Sequence, residues 1–158
     1  MEYYDGIARG YNELYGEEQK KKAKRVQDLL SLLPEETVLD VGCGTGVATE
    51  QLRGKKTGID PSLSMIKQSK FPVVHGRAEK LPFKDKSFDA VVCLTAIHHF
   101  QPNKALVEIK RVAKKKVAIS LLKKAKHFGS IASIVKAVFP GVKEVDADQD
   151  VIFIANLK

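Results

Sequence analysis

The segment Val38-Leu39-Asp40-Val41-Gly42-Cys43-Gly44-Thr45-Gly46 constrains this chain more than any other. A short apolar run interrupted only by Asp40 reads as a buried strand. Three glycines at alternate positions then turn the backbone sharply, and no Cβ keeps a ligand away from the main chain there. Strand, glycine turn and helix in succession are the start of an open α/β sheet that takes its ligand at the strand ends.

The rest of the chain repeats that alternation. Residues 17–33 predict a helix, with Ala23, Val26, Leu29, Leu30 and Leu33 at helical spacing and Pro34 as its stop. A helix is expected from Val47 to Arg53, its partly positive N-terminus aimed at the glycine turn. Thr57–Asp60, Val73-Val74 and Phe88–Leu94 read as further strands, and Ser62–Ser69 and 103–113 as helices. Val117–Leu122 is apolar enough for a strand buried on both faces. Phe128, Ile131, Val135 and Val138 mark a last helix, which Pro140-Gly141 breaks. Val142–Asp146 and Val151–Ala155 lie too close together for a parallel crossover, so they form an antiparallel hairpin. The expectation is a doubly wound α/β sheet, five strands parallel, with a C-terminal antiparallel hairpin and helices on both faces. The 158 residues make one minimal domain, with 1–34 as an N-terminal helical segment and 35–158 as the core.

Composition removes several classes. With 44% hydrophobic and 29% charged residues the chain is globular rather than disordered. No apolar run is long enough for a membrane span and Met1–Asp5 have no signal-peptide layout, so a cytoplasmic location is the expectation. Two cysteines, Cys43 and Cys93, support neither a disulfide scaffold nor a cysteine-rich metal site, and they read as small buried fillers. No metal is expected. The net charge of +8 points to an anionic partner. Lys110, Arg111, Lys114, Lys115, Lys116, Lys123, Lys124 and Lys126 concentrate it, either as a nucleic-acid-binding face or as helix ends and strand flanks in solvent.

The acids identify the ligand of the glycine turn. Asp40 stands two residues before Gly42, where a carboxylate ill suits a phosphate and suits an ammonium group. Asp60 ends the second strand, fourteen residues after Gly46, where it either accepts from a ribose diol or caps the next helix. Pro61 and Met65 follow as candidate flanks for an adenine face, Met65 equally as plain core. A nucleoside with an amino-acid tail fits these features together, and S-adenosylmethionine is that ligand.

The sequence resembles the class I S-adenosylmethionine-dependent methyltransferases, a Rossmann-like family, and within it the branch with quinone-ring and tRNA-wobble methyltransferases. The resemblance runs from Tyr3 to about Val112 and is carried by Leu39–Gly46, Gly58–Met65 and Gly76–Leu94, with the string Ala78-Glu79-Lys80-Leu81-Pro82-Phe83 and with Ile97-His98-His99-Phe100. It implies that Asp40 and the loop of Gly42, Cys43 and Gly44 lie beside the methionine portion and Asp60 beside the ribose. Pro61 and Met65 would flank adenine, the Ala78 backbone would meet its edge, and Leu94 would lie along the methionine chain. Tyr11 matches an aromatic that closes over the cofactor. Arg77 stands where the family often has an adenine-binding Asp, so Glu79 takes that part or the hydrogen bond is missing. The Asn/Asp-Pro-Pro-aromatic clamp of many exocyclic-amine methyltransferases is also absent, the segment reading Leu94-Thr95-Ala96-Ile97-His98.

Methyl transfer asks the protein to hold an acceptor about 3–3.5 Å from the methyl carbon and to exclude water. His98 and His99 follow the fourth strand and are the catalytic candidates, as orienting groups or as a base near neutral pH; His99 serves equally to pack the next helix. The basic surface and the lack of an inserted lid favour structured RNA, ribosomal or transfer, as the acceptor. The alternatives are a small-molecule methyltransferase acting on a quinone-like compound or metabolite, a catalytic subunit needing an activating protein partner, and a binding-only sensor. A nicotinamide-binding module fits Asp40 least. Oligomeric state is not written in the sequence.

Overall fold

Apolar residues alternate along the strands, and that alternation builds two cores, one on each face of a single sheet. The computed structural model describes residues 10–158, without the side chains of residues 11–15. The strands are β1 (Thr37–Val41), β2 (Lys55–Asp60), β3 (Val73–His75), β4 (Phe88–Leu94), β5 (Ala113–Leu122), β6 (Lys143–Ala147) and β7 (Asp150–Asn156). The helices are α1 (Tyr11–Leu30), α2 (Leu63–Ile66), α3 (Pro102–Val112) and α4 (Phe128–Val138). The sheet order is β3-β2-β1-β4-β5-β7-β6. The first five strands pair in parallel, and β7 runs antiparallel to both β5 and β6. The expected terminal hairpin is present, joined by a two-residue turn in which Asp148 adopts φ +58, a conformation a short acidic side chain tolerates.

On one face α1 sets Ala23, Val26 and Leu30 against Val38, Ala90, Val92, Ala118 and Ile152. On the other, α3 and α4 bring Leu106, Ile109, Ile131 and Val135 against Val91, Ile119 and Phe153. Truncating one such buried leucine or isoleucine to alanine costs about 2–5 kcal/mol. The sheet reverses its winding between β1 and β4, which opens a crevice at their carboxyl ends, the usual ligand position in this architecture.

Three elements depart from the sequence expectation. α1 ends at Leu30 rather than at Pro34, because Ser31 turns left-handed with φ +50 and the N–H of Leu32 returns to the Gln27 carbonyl. That turn drives Leu32 into the core at 2% exposure and leaves Leu33, assigned to the helix face, 48% exposed. The helix expected over residues 47–53 shrinks to one 3-10 turn, Thr49–Gln51. Gly54, at φ +110, drops the chain into β2 immediately afterwards, so there is no room for a helix or for its N-terminal dipole beside the glycine turn. β5 begins at Ala113, not Val117, which places Lys114, Lys115 and Lys116 in a strand.

Candidate active site

The glycine turn is a built cradle. Gly42, Gly44 and Gly46 have φ of +77, +57 and +84, a region costly for any other residue. The N–H groups of Gly42 and Cys43 both donate to the Ile59 carbonyl, at 2.8 and 3.2 Å, and that of Gly46 donates to the Cys43 carbonyl at 3.0 Å. Gly44 N–H donates to Asp60 Oδ2 at 2.9 Å. Four loop amides are thus spent inside the chain, whereas a phosphate cradle needs them pointing outward. The loop suits a ligand that lies against it without being gripped by its amides.

Asp60, 3% exposed, ties the loop to the end of β2, its other oxygen accepting from Ser62 N–H at 2.8 Å. The cap of α2 is Ser62, whose hydroxyl accepts from Met65 N–H, so the capping role considered for Asp60 belongs to its neighbour. Asp40 is 2% exposed. Its Oδ2 accepts from the Thr49 hydroxyl at 2.6 Å, while Oδ1 is buried with no partner among the described residues. Burial, with the nearby Asp60 charge adding to it, pushes the Asp40 carboxyl up to about 7. A buried acceptor lacking a donor, on a carboxylate that needs a cation to stay ionised, is what an ammonium-bearing ligand would complete.

The remaining cofactor candidates fall around this core. Cys43 turns inward, its Sγ 2.5 Å from where a Cβ on Gly58 would stand. Met65, 2% exposed, packs beneath Gly44, and Leu94, 7% exposed, sits in the apolar cluster under α1. Ala78 is buried. Pro61 and Glu79 share a cleft of about 300 Å³ with Arg77, His99, Phe100 and Gln101. One Glu79 carboxylate oxygen accepts from Gln101 N–H at 3.0 Å. The side chain of Tyr11 lies outside the described residues.

The turn after β4 meets the glycine loop directly. A Cβ on Gly42 would stand 2.7 Å from Ala96 Cβ and 3.1 Å from the Phe100 ring. The same turn carries both histidines, whose ring centroids are 4.0 Å apart. His98 is half-buried, its Nδ1 enclosed and without a partner among the described residues, and burial lowers its pKa below the ordinary value. His99 is pushed down to about 4, by desolvation first and by the adjoining His98 second. Both rings are therefore neutral near pH 7, as a proton acceptor must be.

The eight basic residues divide between the two ends of the sheet. Lys114, Lys115 and Lys116 lie at the start of β5, away from the glycine loop. Lys116 pairs with Glu36 at 2.9 Å and Lys115 with Asp89 at 3.7 Å. Lys110 donates to the Val138 carbonyl. Arg111 commits all five donors within the chain, to Glu108, Asp85 and the Leu81 and Phe83 carbonyls, which leaves none for a phosphate. Lys123, Lys124 and Lys126 follow β5 at the end that bears the crevice and are exposed, with Lys123 paired to Asp146. Sequence reasoning missed Lys22, Thr95, Ser120 and Asp150, which form a polar cluster near His98, Ser120 and Asp150 buried and Lys22 and Thr95 partly so. It also gave no role to Phe100, although its segment had been singled out.

Residues 39–121 match the methyltransferase domain family, and the chain belongs to the class I S-adenosylmethionine-dependent methyltransferases. It is 41% identical over 120 residues to an uncharacterized protein of Methanocaldococcus jannaschii, covering 72% of this chain and 47% of that protein. A demethylmenaquinone methyltransferase of Renibacterium salmoninarum is 34% identical over 124 residues, which cover 70% of this chain and 52% of the relative. The chain thus spans about half the length of these curated relatives. Among solved structures it is similar, with a TM-score of 0.79 at 15% identity, to a chain from the complex between the Haloferax volcanii Trm112 methyltransferase activator and a methyltransferase, covering 97% of this chain and 96% of that one. At that identity the likeness is one of fold.

Proposed function

We propose that this chain transfers a methyl group from S-adenosylmethionine to structured RNA. The observation that carries the cofactor is the buried Oδ1 of Asp40, without a partner among the described residues, beside a glycine loop whose amides donate within the chain. Asp40 would take the amino group of the methionine portion, Asp60 the ribose hydroxyls, and Pro61 with Phe100 the sides of the adenine. When bound, S-adenosylmethionine supplies the electrophilic methyl group. The chain's own part is to orient the acceptor and exclude water. The close approach of Gly42 and Ala96 sets the turn after β4 against the glycine loop, which supports His98 as the base. His99, in the cleft with Pro61 and Glu79, orients the bound molecules.

For the acceptor, charge favours RNA. Lys124 and Lys126 are exposed at the end of β5 beside the crevice, and the chain carries an excess of eight positive charges. Such contacts give salt-sensitive, sequence-independent affinity for a phosphate backbone. A second reading, methylation of a small quinone-like molecule, is favoured by the demethylmenaquinone methyltransferase relative. The likeness to a chain from a complex with an activator supports a protein partner under either reading.

The test is methyl-labelled S-adenosylmethionine added with the pure protein to fractionated extract from source cells lacking the gene. Label in the RNA fraction that is lost on ribonuclease treatment is the expected result. Label confined to small molecules would replace RNA by the second reading. Cofactor binding without label in any fraction would direct the search to a missing partner.

A further inference from the structure

Beyond the cofactor loop, the most heavily buried charges lie at the carboxyl ends of β4 and β5, under α1. Lys22 of α1 pairs with Asp150 of β7 at 2.9 Å, their side chains 10% and 3% exposed. Drying two ions carries a penalty that their attraction only partly offsets, and apolar residues of similar volume commonly serve stability as well or better. The pair's inner side is apolar, with Ala23 and Ile152 fully buried nearby, and its outer side opens on a cleft lined by Glu18, Lys21, Arg25, Asp146 and Asp148. The fold alone gives no reason for this pair.

Thr95, the first residue after β4, joins the pair to the acceptor turn. Its hydroxyl donates to Asp150 Oδ2 at 2.9 Å and accepts from Lys22 Nζ. Its N–H donates to the Ser120 hydroxyl at 2.8 Å. Thr95 adopts φ +52, a left-handed conformation that is an outlier for a β-branched residue. Strain of this kind persists only where surrounding contacts enforce it. Here the enforcing contacts are the hydrogen bonds to Lys22, Ser120 and Asp150. Three residues on stands His98, its enclosed Nδ1 without a partner among the described residues. Buried ions, backbone strain and an orphaned ring nitrogen converge on one turn.

We infer that Asp150 is a positioning residue for methyl transfer: through Thr95 it fixes the turn that presents His98, and its carboxylate supports the positive charge His98 acquires on taking the acceptor's proton. This rests on the reading of His98 as the base. The acceptor's N–H or O–H bond breaks and its proton passes to Nε2, the ring nitrogen that is not enclosed. The electron pair left on the acceptor forms the bond to the methyl carbon, and the sulfur keeps the pair of the broken C–S bond. The groups that face His98, among the described residues, are Asp150 from β7, Lys22 from α1 and His99 from its own turn. Asp150 favours the imidazolium and Lys22 opposes it, while Lys22 holds the carboxylate in place.

Two charges of opposite sign give a test that needs no acceptor. The His98 ring is followed by nuclear magnetic resonance titration of the full chain, its signal assigned by loss in His98→Gln. Asp150→Asn lowers the midpoint by about half a unit or more, and Lys22→Gln raises it. Should a single variant fail to fold, Lys22→Met/Asp150→Met removes both ions together and lowers the midpoint by less than Asp150→Asn. In methyl transfer, Asp150→Asn moves the acidic limb of the pH–rate profile downward and reduces the rate at least about tenfold. Thr95→Ser keeps activity, whereas Thr95→Gly, free of strain but without the hydroxyl, loses it. Unmoved titrations in folded variants would overturn the role of Asp150 and leave His98 as base intact. Opposite shifts combined with wild-type transfer by His98→Gln would instead overturn the reading of His98, and the role of Asp150 with it.

Discussion

The two sides of the crevice are built by different means. The side proposed for the cofactor is nearly local: Asp40, the glycine loop, Thr49 and Asp60 lie within twenty-one consecutive residues, and the hydrogen bonds among them stay within that stretch. The acceptor side is assembled from afar, with Lys22, Thr95, Ser120 and Asp150 brought in by α1, β4, β5 and β7. A local cradle forms once two adjacent strands pair, whereas the acceptor cluster requires nearly the whole sheet to close. The cofactor side therefore tolerates distant change, and the acceptor side reports on the integrity of the fold.

The largest expected effect is on the local side. Asp60→Ala removes the acceptor of two buried amides, Gly44 and Ser62, as well as the proposed ribose contact. Leaving buried donors unsatisfied costs about 1–3 kcal/mol each. S-adenosylmethionine affinity falls at least about a hundredfold by calorimetry, since the loop and a direct contact are lost together. Unchanged affinity would take Asp60 out of the site and break the comparison at its firmer end.

Asp40→Asn separates binding from stability. Folded Asp40 keeps its proton up to about pH 7, against an ordinary value of 3.8. The stability this group contributes is therefore complete below about 4 and drains away as pH rises through 7. At pH 8 the ligand-free asparagine variant is the more stable protein, by on the order of 2–4 kcal/mol, while it binds the cofactor about tenfold less tightly. Wild-type affinity weakens by up to about tenfold per pH unit below 7, because the carboxylate must ionise to meet the ammonium; the variant's affinity lacks that dependence. Thermal melts at pH 5 and 8, with calorimetry at both, decide it. A variant no more stable at pH 8 would mean that Asp40 is not held under strain in the free protein.

The same contrast explains what the sequence could tell. The turn at Gly42 and Gly44 was legible because glycines at alternate positions after a strand set it by spacing alone, whereas the tie of Asp60 to the Gly44 N–H appears only once β2 lies beside the loop. The hairpin was legible because the separation of its strands forbids a crossover. Thr95 and Asp150 carry no such signal: a threonine after an apolar strand and an acid before another look like ordinary strand ends until β7 is placed beside β5. The missing helix at 47–53 is a failure of the other kind. Its pattern was helical, and the competing demand of Gly54 to begin β2 prevailed. The lysine run misled by contiguity, since β5 carries its two halves to opposite ends of the sheet.

That separation gives the next, smaller effect. If RNA is the acceptor as proposed, Lys124→Glu/Lys126→Glu, beside the crevice, lowers methyl transfer to it several-fold and flattens the salt dependence by about one unit of slope per lost phosphate contact. Lys114→Glu/Lys115→Glu, at the far end, changes transfer less. Lys116 is left in place because it pairs with the buried Glu36. Equal losses from the two pairs would extend the RNA surface around the whole sheet, and a larger loss from the far pair would move it there.

The smallest effect concerns the two thiols, one on each side of the comparison. Cys43 lies in the cofactor loop and Cys93 in β4 beneath the acceptor turn, and both are buried. Burial raises each thiol well above its ordinary range, with the charges of Asp40 and Asp60 adding to the effect. A thiol held protonated in this way is a poor nucleophile, so neither reacts with a thiol reagent in the folded protein at pH 8, and both react after unfolding. S-adenosylmethionine leaves Cys93 unchanged and slows any residual reaction of Cys43, because opening the local cradle exposes Cys43 while Cys93 waits for the sheet itself to open. Equal and slow rates for both, unaltered by cofactor, would mean that the loop opens only with global unfolding, and the local character assigned to the cofactor side would be lost.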